Sequence, residues 1–246
     1  NNGTRRTGIL FKQEDSNLAP TIYLEEFYQK YLKGQQVPDL ADSICSIYQE
    51  IRVKKTCDCQ NLFDFNHVKE HIVYKLIRRD ANEELLKQIP YEPFLDLAVV
   101  YYIQIDNTRF GSAAIQIRNE HLRYWRVEKE EIRRLAEKNT PRIYPVQIRQ
   151  IVRFMYVATN EQCSLGAAVM RYPDFRERVR GMIRGDFYIL PSSIHEVILV
   201  PESFGLEPER MQEMVKEINQ TGVAPEEVLS DSVYYFDGEE IRIVAK

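Results

Sequence analysis

A chain of 246 residues that is 44% hydrophobic and 28% charged, with four cysteines, has the makeup of an ordinary soluble globule with a sizeable core. That composition excludes a disordered chain, a membrane-spanning one (no apolar run approaches the roughly 18 residues needed) and a disulfide scaffold, so a reducing, cytoplasmic setting is expected. The net charge of −4 is blocked: residues 1–117 sum to −2, residues 118–184 to +7 with 13 arginines, and residues 185–246 to −9.

Asn1-Asn2-Gly3 is a hairpin-type turn followed by an extended run from Thr4 to Phe11, so a partner strand is expected upstream of Asn1. Pro20 opens a helix with Tyr23, Leu24, Phe27, Tyr28 and Tyr31 at helical spacing, which Gly34 ends. Pro38 opens a second, with Leu40, Ile44, Ile47, Tyr48 and Ile51 on one face. After a polar loop over Lys54 to Gln60, the spacing of Val68, Ile72, Val73, Leu76 and Ile77 predicts a third. A short helix follows over Asn82 to Gln88.

From Pro93 the pattern turns to strands. Phe94 to Ile105 predicts one long strand, turned at Asp106-Asn107 and paired with Ser112 to Ile117. Helices are predicted over Asn119 to Trp125 and Glu128 to Asn139, the second stopped by Thr140-Pro141, while Pro145 to Val152 stays ambiguous. A hairpin is predicted from Phe154–Ala158 and Leu165–Met170, then a helix from Pro173 with Phe175, Val179, Met182 and Ile183 inward. Phe187 to Leu190 and His195 to Val200, hinged at Pro191-Ser192-Ser193, form the most apolar hairpin and are expected at the centre of a sheet. A helix from Pro208 carries Met211, Met214, Val215 and Ile218. A last hairpin joins Ser232–Phe236 to Glu240–Val244 across Asp237-Gly238. The expected fold is α+β: an antiparallel sheet built from successive hairpins, intervening helices mainly on one face, and a helical N-terminal lobe. Residues 1–89 form that lobe and 90–246 the sheet region, in one compact unit.

Several residues invite a chemical reading. Ser193, His195 and Glu196 have the composition of a nucleophile, a base and an orienting acid. On a strand, however, Glu196 points away from the other two, and no Gly-x-Ser-x-Gly elbow is present, so no catalytic role is assigned. Asp96 sits among Phe94, Leu95, Leu97 and Ala98, where a carboxylate must be paired or shifted in pKa; it is either a structurally partnered group or a functional acid. Cys57-x-Cys59 with His67 and His71 has zinc-like donors, but its gaps of one and seven residues depart from finger spacing, and no cofactor is expected. Arg176, Arg180 and Arg184 recur at helical spacing, with Arg171 just before them. They could meet phosphates, although a solvated helix face is the plainer reading. Glu209, Glu213 and Glu217 make a matching acidic stripe.

Pro93-Phe94-Leu95-Asp96-Leu97, Asn119-x-His121-Leu122, Asn139-Thr140-Pro141, Leu190-Pro-Ser-Ser-Ile-His-Glu-Val197 and Val223-Ala-Pro-Glu-Glu-Val-Leu-Ser-Asp-Ser-Val233 together resemble a bacterial family of unknown function, domain of unknown function 5688. The resemblance covers almost the whole chain and implies a bacterial, intracellular protein with an additional N-terminal segment. It implies no reaction, ligand or catalytic residue, and Cys57-x-Cys59 falls outside its pattern. The expected function is a non-enzymatic binding or interaction module with a protein partner and no membrane. The alternatives are a hydrolase using Asp96, His195 or Glu196 in a cleft, and a nucleic-acid binder using the arginine-rich 118–184 block.

Overall fold

A computed structural model describes residues 2–12, 21–51, 64–108 and 111–246. Asn1, Pro20 and the 54–60 loop with Cys57 and Cys59 lie outside the described residues.

Among the described residues, two antiparallel sheets form the body. The larger has six strands in the order β12-β11-β9-β10-β8-β7. They are β7 (Val146–Val152), β8 (Met155–Asn160), β9 (Phe187–Leu190), β10 (Val197–Pro201), β11 (Val233–Phe236) and β12 (Ile241–Ala245). The β9–β10 hairpin is central, as its sequence predicts, with Ile189 opposite Leu199. Its side chains alternate between faces. Phe187, Ile189, Val197 and Leu199 enter the main core. Leu190 and Val200, with Tyr188 and Ile198 beside them, face the other way, onto Met211 and Val215 of the helix Pro208–Thr221. Burial on both faces explains why this hairpin reads as continuously apolar.

The second sheet contains β3 (Ile72–Arg78), β4 (Tyr91–Phe94), β5 (Leu97–Thr108) and β6 (Gly111–Gln116). Strand β5 pairs with β3 along one edge, and with β4 and then β6 along the other. Leu97, Val99, Tyr101 and Ile103 of β5 join the same core as the larger sheet's inner face, so one core unites the body.

Numbered in chain order, the helices of the described residues are α1 (Glu25–Leu32), α2 (Val37–Ile51), α3 (Phe65–Val68), α4 (Glu83–Leu86), α5 (Asn119–Trp125), α6 (Lys129–Ile143), α7 (Phe175–Ile183) and α8 (Pro208–Thr221). Ile132, Leu135 and Ala136 of α6 and Phe175 and Val179 of α7 fill the main core, while α8 covers the opposite face of the six-stranded sheet. The fold is α+β with antiparallel sheets, as expected, and its hairpins are divided between two main sheets.

The N-terminal lobe has a small core of its own. A two-stranded ribbon pairs β1 (Gly8–Leu10) with β2 (Thr21–Tyr23), and α1 and α2 follow. Ile22, Phe27, Leu40 and Ile44 are its buried residues. Asn2 and Arg6 link it to the body: the Asn2 amide donates to the carbonyls of Pro225 and Val228, and Arg6 pairs with Glu226.

Five expectations are corrected. Tyr23, read onto the first helix, lies on β2, and that helix begins at Glu25. Residues 72–77 form β3, not a helix, because Ile72 and Tyr74 face one core cluster and Val73 and Ile77 face others, an alternation that a helix cannot satisfy. The N-terminal stretch to residue 89 therefore contributes a strand to the second sheet rather than being a helical lobe alone. The predicted long strand from Phe94 is broken by a tight turn at Leu95-Asp96, with Phe94 opposite Leu97 and Leu95 at φ +56°. Residues Gly166–Arg171 form a buried 3-10 turn, not a strand, and β8 pairs with β7 instead. A Cβ on Gly166 would lie 2.5 Å from the His195 carbonyl and 2.7 Å from the Asn160 nitrogen, so only glycine allows this approach. Finally, α6 runs through Pro141 to Ile143, since proline's missing donor costs one bond only two residues before the helix ends.

Candidate functional site

Asp96 occupies the second position of the β4–β5 turn. Its Oδ2 accepts hydrogen bonds from Ser230 Oγ (2.7 Å) and Ser232 Oγ (2.8 Å), and its Oδ1 accepts one from the Tyr234 hydroxyl. The hydroxyl donors come from the start of β11 and the loop before it, so one carboxylate ties the two sheets together. Burial, and then the adjacent Asp96 charge, push the Tyr234 phenol well above its ordinary pKa and keep it protonated as a donor. The carboxylate singled out in the sequence is thus a half-buried, partnered one, set in a turn rather than inside a strand.

The strand expected from His195 begins only at Val197, so Ser193, His195 and Glu196 lie in the loop before β10. The imidazole Nδ1 accepts the Leu165 backbone N–H at 3.2 Å. Nε2 therefore carries the proton of the neutral ring, and it faces Glu227 Oε1 at 3.3 Å. The Ser193 hydroxyl accepts the backbone N–H of His195 at 3.1 Å, not a contact from the ring. Both ring nitrogens are occupied, which leaves no lone pair to take a proton from serine. Glu196 is exposed, and the partner of the ring is Glu227, a residue sequence reasoning missed. Asp96 and His195 share no hydrogen-bond partner.

The arginines divide. Arg171 lies against Glu137 (3.2 Å) and Glu92 (3.8 Å), with its guanidinium over the rings of Phe94 and Tyr74. Arg176, on α7, donates to the Glu239 carbonyl and lies over Phe236, and Arg180 faces Asp186 at 3.8 Å. Arg184 caps the helix in the left-handed region at φ +61°. Arg176 holds the β11–β12 turn, Arg180 faces the residue before β9, and Arg171 is half-buried in a different network. The acidic stripe Glu209, Glu213 and Glu217 is exposed along α8. His67 and His71 are exposed on α3 and on the 3-10 turn Lys69–His71, and Cys57 and Cys59 lie outside the described residues. Among the described residues no group of three or more His, Cys, Asp or Glu is placed to hold a metal ion.

A polar cluster that sequence reasoning missed surrounds Arg78 of β3. Its Nε meets Asp80 Oδ1 at 2.8 Å and its Nη1 meets Asp231 Oδ2 at 3.0 Å. The Asn219 amide donates to Asp231 Oδ1 and to the Ser230 carbonyl. The Arg78 hydrogen bond holds the Asp80 carboxyl below the usual carboxylate range. Two neighbouring hollows of about 560 and 280 Å³ share Arg78 and Asp80. The smaller also reaches Asp96 and Ser232, but three hydroxyls already donate to the Asp96 carboxylate, and charges of both signs line the walls.

The exposed apolar surface is concentrated elsewhere. Tyr28, Tyr31 and Leu32 follow one another at i, i+3 and i+4 on α1 and are 58%, 51% and 59% exposed. The two tyrosine rings stack at 6.5 Å. Val37, at the start of α2, and Tyr23, on β2, are also exposed. Phe27 of α1 is buried in the lobe core, while Tyr28, Tyr31 and Leu32, at about 40° to 140° around the helix from it by helical geometry, stay exposed. The helical tyrosine spacing was visible in the sequence; which side faces solvent was not.

Among the described residues no helix is long and apolar enough to cross a membrane. No curated protein and no solved structure matches the chain. A family model matches residues 1–155 and again 152–238, which together span most of the sequence, and by that match the chain belongs to the family of unknown function DUF5688.

Proposed function

We propose that this chain is a non-enzymatic protein-interaction module, and that its contact surface is the outward face of α1. The observation that carries the reading is the exposed run Tyr28, Tyr31 and Leu32, held on a helix that Phe27 anchors in the lobe core. Tyrosine supplies a large, rigid contact area with a polar tip and is enriched at protein interfaces. Burying each of these large side chains against a partner would stabilise the complex by about 1.5–3 kcal/mol. The partner is another protein that presents an apolar pocket to this face. The groups that could have served catalysis support the same reading: the Asp96 oxygens, both His195 nitrogens and the Ser193 hydroxyl are engaged in the fold's own hydrogen bonds. The free, exposed thiols of Cys45 and Cys163 favour a reducing, cytoplasmic compartment.

The test compares the full chain with a Tyr28→Ser, Tyr31→Ser variant as bait in an extract of the native cell, followed by calorimetric titration of the protein captured. Loss of two interface anchors should weaken binding by at least about 100-fold while the circular dichroism stays unchanged. Equal affinity for both baits would overturn the proposal. A dimer of the wild-type chain alone, abolished by the same substitutions, would overturn the choice of partner and assign the face to self-association.

A further inference from the structure

Strand β7 is an end strand of the six-stranded sheet: its pairing is to β8, and along its other edge no backbone hydrogen bond to another described residue is formed. Beside it lies a groove of about 380 Å³, lined by Val146 and Ile148 of β7 and by Arg178 and Met182 of α7. Val146 and Ile148 are two residues apart, so both point to the same side of the strand, into the groove. A free sheet edge flanked by a groove between that edge and a helix is the geometry that receives an added strand. Backbone hydrogen bonds fix the guest along the edge, and every second guest side chain drops into the groove.

Two features define the guest. Arg149 on β7 and Arg153 in the following turn are exposed and have no acidic partner among the described residues; Arg153 lies over the ring of Phe154. Arg178 adds a third guanidinium at the groove wall, paired with Asp174 at 2.6 Å. An acidic guest matches this edge. A second copy of the chain does not: antiparallel self-pairing centred on β7 would set Arg149 against Arg149 of the partner strand, and like charges directly opposite are destabilising. The register shift between Gln150 and Val152 ends regular pairing after about five residues, which suits a short peptide better than another sheet.

We infer that the β7 edge binds a short extended peptide of a partner protein in which apolar residues alternate with Asp or Glu. This site is separate from the α1 face and stands or falls without it.

Selection of a random peptide-display library on the full chain tests the inference. Enriched sequences should alternate apolar and acidic residues. A synthetic peptide of the best sequence should bind at least tenfold more weakly to a Met182→Glu variant and to an Arg149→Glu variant, yet with unchanged affinity to the Tyr28→Ser, Tyr31→Ser variant. N-methylation of alternate residues reads the backbone pairing: one alternate set should abolish binding and the other should leave it intact. Failure to enrich any alternating sequence, equal binding to the Met182→Glu variant, or the same response to both N-methylation patterns would overturn the inference. Loss of binding in the tyrosine variant alone would move the peptide to α1 and overturn it as well.

Discussion

Replacing Asp96 with alanine removes one carboxylate and orphans three hydroxyl groups. Tyr234 is fully buried, and Ser230 and Ser232 are each 2% exposed, so none of the three can turn freely to water. A buried donor left without a partner costs about 1–3 kcal/mol, and the two serines can recover part of that by re-aiming within their loop. The expected loss is therefore about 3–5 kcal/mol. For a chain of this size each kcal/mol moves the midpoint by about 2–4 °C, so the thermal transition should fall by roughly 6–20 °C. Tyr234→Phe leaves the carboxylate two of its three donors and should cost only about 1 kcal/mol. Chemical denaturation of both single variants and the double variant would measure the coupling, expected at about 1–2 kcal/mol. If Asp96→Ala unfolds within about 0.5 kcal/mol of wild type, the carboxylate is not a structural clamp, and the case for a functional acid at this position reopens.

Gly166→Ala should destabilise by about 3 kcal/mol, because the added methyl meets the His195 carbonyl and the Asn160 nitrogen, both backbone atoms; Gly185→Ala, with nothing within 4 Å, is the control and should fold normally in the same thermal melt. Burial raises the phenol pKa of Tyr74, Tyr101, Tyr102, Tyr172 and Tyr234 above the ordinary value of 10.0. The unfolded chain therefore releases protons first: this stability is complete below pH 10 and is lost above it at up to about 1.4 kcal/mol per pH unit per tyrosine, so cooperative unfolding should coincide with the rise of tyrosinate absorbance. His121, whose Nδ1 accepts the Arg118 N–H at the start of α5, has its pKa lowered below 6.5 by burial; its contribution is present above pH 6.5 and fades as the pH falls through the folded value, and His121→Gln should remove that acid dependence for about 1 kcal/mol or less. Ser193 should stay unlabelled by a fluorophosphonate probe, since no ring nitrogen is free to activate it; stoichiometric labelling would contradict the His195 geometry.

The central hairpin was legible because β9 and β10 are buried on both faces, and such strands leave a continuous apolar trace. Strand β3 was not. Val68, Ile72, Val73, Leu76 and Ile77 fit a helical stripe as well as a two-sided strand, and only pairing with β5 decides between them. The Leu95-Asp96 turn carries no glycine or asparagine to announce a left-handed residue, so the run from Phe94 read as unbroken. The partners of Asp96 lie 134 to 138 residues away in sequence, and Asp231 lies 153 residues from Arg78. Local patterns hold no trace of such pairings. Likewise, Ser193, His195 and Glu196 resembled a reactive set by proximity in sequence, whereas the imidazole found its acid in Glu227.

A photo-crosslinking amino acid placed at residue 31, in place of the exposed tyrosine on α1, and at residue 213, in place of the exposed glutamate on α8, would test in the native cell whether this chain works by contact through α1. The account predicts a discrete adduct of one partner from position 31, absent from position 213. No adduct from position 31, or the same adducts from both positions, would contradict it.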